Sequence, residues 1–174
     1  VTDIPSIVYG LNNIDTNNNS VRERAFQSLT EIVWKHGSKA KAFVDQYHGL
    51  EALVKNMWED IGNPAVQAAA AELLFALSAS LDGDSQSDIL VGDIAASAVD
   101  ALLIVMQTHL SIESIQRSGC GTLNCLAAAS GFNLRVTDGA LSGAVLCVVN
   151  AMDAHRNSRN LQEWGLRALH SQCL

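Results

Sequence analysis

His109 and His155 are the first candidates for chemistry, because each follows a methionine, Met106 or Met152, by three residues in a repeated segment. An imidazole can bind a metal ion or move a proton near neutral pH. Helices that pack side by side lie roughly 10 Å apart, too far for two such side chains to share one zinc ion. Asp60 holds the same position in another copy of the segment. We therefore expect a turn or helix-capping role here, and no metal site.

The cysteines are the next candidates, since a thiolate can act as a nucleophile. They are Cys120, Cys125, Cys147 and Cys173, in apolar settings without C-x-x-C spacing. Cys120 and Cys125 are five residues apart on a predicted helix, so they do not share a face, and no histidine is placed as a base for either. We expect small buried thiols in a reducing compartment and no catalytic residue.

An acidic segment that starts at Asp82 and reaches Asp93 at its twelfth position resembles a calcium-binding loop. It lacks the glycine at position six and the terminal glutamate of such loops, which favours a solvated connection between helices. The chain also contains no H-E-x-x-H, no glycine-rich phosphate loop after a strand and no G-x-S-x-G. We therefore expect a protein that is not an enzyme and needs no cofactor.

Net charge and amino-acid composition indicate which classes of partner and which fold class to expect. The 174 residues carry a formal net charge of -7, which disfavours sequence-independent binding to nucleic acid. No apolar run approaches the roughly 18 residues of a membrane-spanning helix, and no targeting signal is visible, so we expect an intracellular, cytoplasmic protein without membrane insertion. Hydrophobic residues make up 48% but aromatics only 5%, a balance that favours closely packed helices over strands.

An internal repeat organises the chain. Segments that begin at Met57, Met106 and Met152 align without gaps, and an earlier copy has Asn12 at the methionine position. Each copy places apolar or small residues at i, i+4 and i+8, and all but the last, which has Gln172, also at i+11. These positions form one face of a helix, and the second of them is always Ala or Gly. These positions are Val21, Ala25, Leu29 and Ile32; Val66, Ala70, Leu74 and Leu77; Ile115, Gly119, Leu123 and Leu126; and Leu161, Gly165 and Leu169.

Residues typical of helix starts and helix ends flank these long helices and define the rest of the unit. Asn63-Pro64 and the tract 17–20 predict helix starts, and Gly37, Gly83 and Gly131 predict helix ends. A shorter segment and a medium helix lie between each glycine and the next long helix. Each unit is therefore predicted to consist of a short, a medium and a long helix, and no segment alternates as a strand would.

This unit resembles the armadillo repeat. The resemblance is carried by the stretch VDQYHGLEALVKNMWEDIGNPAVQAAAAELLFALSAS and by the recurring pattern M-x-x-H followed by Q-x-x-G, which is similar to divergent arrays of algal and protist proteins. It implies an all-α, right-handed α-solenoid of about four three-helix repeats, approximately 1–37, 38–83, 84–131 and 132–174. The four repeats would form a single domain, and we expect it to belong to a longer array.

In armadillo proteins the long helices line a groove that holds extended peptides, and the resemblance implies such a groove here. The positions it would use include Glu23, Gln27, Glu31, Glu72, Arg117, Glu163 and Arg167. The Trp-Asn ladder of nuclear-signal receptors is absent, and three tryptophans at non-equivalent positions (Trp34, Trp58, Trp164) are expected to pack in the core or loops. The resemblance thus implies a non-catalytic scaffold for a protein or peptide partner; the alternative is a structural subunit of a larger complex, held by its convex face or ends.

Overall fold

The structure, a computed structural model, describes residues 3–13, 18–80, 93–128 and 138–173. All regular structure in these ranges is α-helical, which confirms the predicted all-α class. The helices are α1 (Ile4–Asn13), α2 (Asn19–Lys35), α3 (Ser38–Asp45), α4 (Gly49–Glu59), α5 (Pro64–Ser80), α6 (Asp93–Thr108), α7 (Glu113–Ala128), α8 (Asp138–Ala154) and α9 (Arg159–Cys173).

The helices form two layers, each in chain order. The long-helix layer contains α2, α5, α7 and α9, and each packs on the next. The second layer contains α1, α4, α6 and α8, which also contact one another in succession. Each long helix also packs on the second-layer helix that precedes it in the chain. We call the successive groups units one (α1–α2), two (α3–α5), three (α6–α7) and four (α8–α9).

The core lies between the layers and uses most of the predicted apolar positions. Val66, Ile115 and Leu161, which begin the apolar face in units two to four, are fully buried. Val21 begins it in unit one but is 42% exposed, contrary to expectation. It lines a groove of about 300 Å³ that lies between α1 and α2 and is not filled by any side chain. Burial of the repeated face is therefore complete only in units two and three, since Leu169 in unit four is half-buried.

Small residues at the second apolar position receive a methionine from the preceding helix. A Cβ atom built on Gly119 would overlap the sulfur of Met106, and one on Gly165 would lie 2.6 Å from the sulfur of Met152. The prediction that this position lets a neighbouring helix approach is confirmed for both glycines. The close contact sets the distance between the layers within units three and four.

The three-helix unit is observed complete only in unit two among the described residues. There α3 packs on α4, and a Cβ atom on Gly49 would overlap the Phe43 ring, which explains the glycine at the start of α4. Residues 93–97, predicted to belong to a separate short segment, form the first turn of α6. They contain no helix breaker, so the medium helix extends through them and is as long as α7.

Two of the predicted boundary signals can be compared with the backbone. Asn63 Oδ1 accepts hydrogen bonds from the amides of Ala65 (3.1 Å) and Val66 (3.3 Å), which confirms the N-cap of α5. Gly37, however, is not a left-handed C-cap, because its φ of -52° is right-handed and it precedes the first residue of α3. The left-handed position is His48, with φ 51°, directly before α4. Gly83, Gly131 and the calcium-like segment from Asp82 lie outside the described residues.

No helix within the described ranges combines the length and the apolar character needed to cross a bilayer.

We predict opposite stability effects for one substitution at two helical glycines. Gly119→Ala forces Met106 to move, and such overpacking lowers the free energy of unfolding by roughly 1–3 kcal/mol. Gly10→Ala in α1 meets no atom within 4 Å and removes backbone entropy from the unfolded chain, so it raises stability by about 0.5–1 kcal/mol. Urea unfolding of both variants measures the difference, and a stabilised Gly119→Ala protein would show that the Met–Gly contact is not tight.

Candidate functional site

A glutamine at the fourth residue of α5, α7 and α9 holds the two layers together. Gln116 Nε2 donates to the carbonyls of Met106 (2.9 Å) and His109 (3.0 Å). These oxygens lie at the end of α6 and in its turn, where carbonyls have no partner within a helix. Gln67 makes the same pair of bonds at the end of α4, and Gln162 at the end of α8. The Q of the Q-x-x-G pattern is thus a helix-capping side chain supplied by the following helix.

The repeated histidines join one unit to the next. His109 Nε2 donates to the carbonyl of Ile61 at 2.7 Å, and His155 Nε2 donates to the carbonyl of Leu110 at 2.8 Å. Both acceptors lie in the turn of the preceding unit, at the same repeat position. The predicted turn role is confirmed, but the bond crosses between units, which the sequence alone did not indicate.

Unit one replaces the glutamine by Arg22, whose side chain is 1% exposed. Its guanidinium contacts Glu59 at 2.9 Å and Asp60 at 3.9 Å, at the end of α4 in unit two. Asp60 occupies the repeat position of the two histidines, so all three junctions between units have a polar contact at this edge. These contacts fix how each long helix lies against the next.

The surface of the long-helix layer that faces away from the second layer is called the long-helix face here. The seven residues predicted for a groove lie on it at i+2, i+6 and i+10 of α2, α5, α7 and α9, and none is buried. Ala76 and Gly121, also predicted to face the groove, are instead buried. They are small residues in the two central helices, so the larger side chains around them cover them.

Charges on the long-helix face are partly paired within their own helices. Glu163 and Arg167 form an ion pair, and Lys35 reaches Glu31 at 3.3 Å. Glu72 on α5 is exposed and Arg117 on α7 is half-exposed, and neither forms an ion pair with a described residue. The face carries more acidic residues on α2 and α5 and more basic residues on α7 and α9, but this contrast is weakened because Arg167 is neutralised by Glu163.

An aromatic cluster crosses the long-helix face. The Phe75 ring of α5 packs edge-on against Trp34 of α2, with centroids 5.9 Å apart, and against Trp164 of α9 at 5.2 Å. The guanidinium of Arg167 lies 5.1 Å from the centroid of Trp164. Trp34 is 51% exposed, so the cluster offers an apolar surface rather than a closed core.

The contact between Phe75 and Trp164 passes over α7, which lies between their helices. Gly121 makes this possible, because a Cβ atom there would lie 2.6 Å from Phe75 Cε2. The expectation that the tryptophans pack in the core or loops is wrong for Trp34, which is 51% exposed on a helix, whereas Trp164 is partly buried against the core; both contact the Phe75 ring. Their positions, i+13 and i+3, fall on the groove side of a helical wheel together with Phe75 at i+9. That angular position is the signal that could have identified them.

The cysteines were predicted to be buried thiols, which is wrong for Cys125 on α7, since it is only half-buried. Cys120 and Cys147 are buried, as predicted, and burial raises the pKa of the Cys120 thiol to about 12. Burial also raises the pKa of Cys147, so both remain protonated at neutral pH. In the described part of the chain no three His, Cys, Asp or Glu side chains are grouped as a metal site would require. What the face offers is therefore aromatic contact and hydrogen bonding.

We predict that the glutamine cap is worth more than an exposed glutamine. Gln116→Met keeps the size of the side chain but removes the donor to the buried Met106 carbonyl, which we expect to lower the free energy of unfolding by about 1–3 kcal/mol. The His109 carbonyl loses one of its two bonds and keeps the one from the Ile112 amide. Gln46→Met, at an exposed position, changes stability by less than about 0.5 kcal/mol. Chemical unfolding followed by far-UV circular dichroism compares the two, and equal effects would show that these bonds contribute nothing.

Gly121→Val tests the aromatic cluster. A branched side chain cannot share the space of the Phe75 ring, so we expect the ring to leave Trp164 and the near-UV circular dichroism of the tryptophans to decrease. Gly62→Val, where a Cβ atom meets nothing within 4 Å, serves as the control with an unchanged spectrum. An unchanged spectrum for Gly121→Val would mean that the three rings are not held together.

Comparisons of the chain with models of known protein families, with curated proteins and with solved structures give no match.

Proposed function

We propose that this protein is a non-catalytic scaffold that binds an extended segment of a partner protein along the long-helix face. The observation that carries the proposal is the partly open aromatic cluster, formed by Trp34 of α2, Phe75 of α5 and Trp164 of α9. Exposed aromatic rings bring large apolar contact area at a small cost in side-chain entropy, and they are frequent at protein interfaces.

Polar groups around the cluster would give the bound segment its direction. Gln27, Glu31 and Glu72 are exposed on α2 and α5, where their oxygens can accept hydrogen bonds from main-chain amides or from a basic side chain. Arg117 on α7 supplies a donor beside them. A segment that is basic toward units one and two suits this arrangement, because charge complementarity sets the register and the association rate.

The arrangement of helices supports an armadillo-type solenoid as the architecture behind this function. Successive units stack in chain order in both layers, unit two has three helices, and the glutamine and histidine contacts repeat at equivalent positions. We propose four such repeats in one right-handed array. The protonated buried thiols of Cys120 and Cys147 suit a reducing, intracellular compartment.

Selection of peptides on the purified chain tests the proposal. A displayed library of random linear peptides is panned against the immobilised protein, and the affinities of synthetic versions of selected peptides are measured by calorimetry. Because Trp34 and Glu72 lie on the proposed surface, Trp34→Ala and Glu72→Lys should each weaken binding by about tenfold or more.

The matched controls lie on α4, in the other layer. Trp58 is 42% exposed and Glu51 is also exposed, so Trp58→Ala and Glu51→Lys should leave the affinity unchanged. If the affinity of the selected peptides falls with the α4 substitutions and not with those on the long-helix face, the peptides bind the second layer. That result would reject this face and favour the structural-subunit alternative.

A further inference from the structure

An apolar surface is open where α8 and α9 complete the two layers. Leu166 on α9 is 61% exposed and Val149 on α8 is 46% exposed. We call the surface around these two residues the α8–α9 face. Single exposed residues of this size are common on protein surfaces, so the equivalent residues in the other units decide whether this surface is normally covered.

The repeat itself shows what covers this position elsewhere. Phe26, Ala71 and Cys120 occupy the position of Leu166 in units one, two and three, and each is fully buried. In each case the next long helix packs on the helix that carries it. Leu29, Leu74 and Leu123 are buried in the same way, whereas Leu169, their counterpart in α9, is only half-buried. Leu166 is exposed because, among the described helices, none packs on this side of α9.

The second layer gives the same comparison. Val54 and Leu103 stand at the position of Val149 in units two and three and are 6% and 7% exposed. Tyr9 at this position of the shorter α1 is exposed, so the argument rests on the longer helices of units two to four. In α4 and α6 the position is covered, and in α8 it is open.

A polar acceptor lies beside the apolar residues. His109 and His155 each donate to the carbonyl of the preceding unit, on Ile61 and Leu110. The corresponding carbonyl in unit four belongs to Arg156, and no histidine of the described residues bonds to it. The α8–α9 face therefore repeats both the apolar and the polar part of the existing junctions.

The α1–α2 side of the stack is not a suitable cover. Ala69, Leu73 and Ala76 of α5 are buried, and the same positions in α2 are Arg24, Ser28 and Glu31, none of which is buried. A second copy that docked its α2 on α9 would bury two charged side chains against Leu166, which is unfavourable. The surface instead suits a helix like α5. The residues of α5 that face α2 include alanines, and α2 carries the large Phe26 at the position of Leu166.

We propose that the α8–α9 face is a docking surface for a further three-helix repeat of the pattern found in this chain. Its long helix presents small apolar side chains to Leu166, and a histidine in its turn donates to the Arg156 carbonyl. This inference does not depend on the peptide-binding function proposed for the long-helix face.

The first test uses the chain as it is. Because Leu166 is exposed, Leu166→Glu should leave the midpoint of thermal unfolding unchanged, and sedimentation should give a monomer with and without the substitution. Cys120→Glu, at the equivalent buried position, should lower the midpoint strongly. A dimer that Leu166→Glu dissociates would assign the face to a second copy and overturn the proposal.

The second test supplies a repeat. Since Leu161 has the repeat position of Val21, residue 174 corresponds to residue 34, and a second copy of residues 35–80 joined after Leu174 continues the chain in register. We expect the amides of α8 and α9 to exchange with deuterium about tenfold more slowly in the extended protein. Leu166→Glu should abolish that protection.

Ile104→Glu is the matched control, because Ile104 is 38% exposed on α6 and away from the α8–α9 face. It should leave the protection of α8 and α9 intact. Exchange in α8 and α9 that is the same with and without the added repeat, or protection that survives Leu166→Glu, would overturn the proposal. An added repeat that stays unfolded by circular dichroism would also count against the proposal.

Discussion

The fold depends on how the ends of the second-layer helices are hydrogen-bonded. A helix leaves its last carbonyls without partners, and burying them unpaired would destabilise the fold by more free energy than most single contacts contribute. Gln67, Gln116 and Gln162 each donate from the start of the following helix to two of these oxygens, the second of which also accepts from a turn amide. Because one side chain reaches two fixed carbonyls, it also determines the angle at which the long helix leaves the turn. The layers, the junctions and the long-helix face all follow from that angle.

Much of the fold could be predicted from the sequence, because helical periodicity and repetition are local properties of the chain. The apolar positions around Leu74 and Leu123, the cap at Asn63 and the small residue at Gly119 are where the pattern places them. The extent of α6 was not predicted, since no residue between 93 and 97 marks a boundary. Gly37 was misinterpreted because a glycine after a helix can also precede the next one.

The candidate site was predicted only in part. The register of each long helix predicts that Glu72 and Arg117 lie on its exposed side, because the exposed side follows from the residue positions of that helix alone. The aromatic cluster joins Phe75 to Trp164 across α7, and it exists because Gly121 has no side chain. Such a contact depends on three helices at once and on the absence of a side chain at the glycine between the rings. No spacing within one repeat encodes them, so the structure was needed to find them.

The bonds from His109 and His155 have a consequence for how such a chain can evolve. Each imidazole donates to a main-chain oxygen, and the acceptor residues, Ile61 and Leu110, differ in type. A junction that recognises only the backbone imposes no side-chain identity on its neighbour, so the turn can mutate without a compensating change. Gene segments that encode single units can therefore be duplicated or exchanged, because any neighbouring unit already provides the main-chain oxygen that accepts the bond.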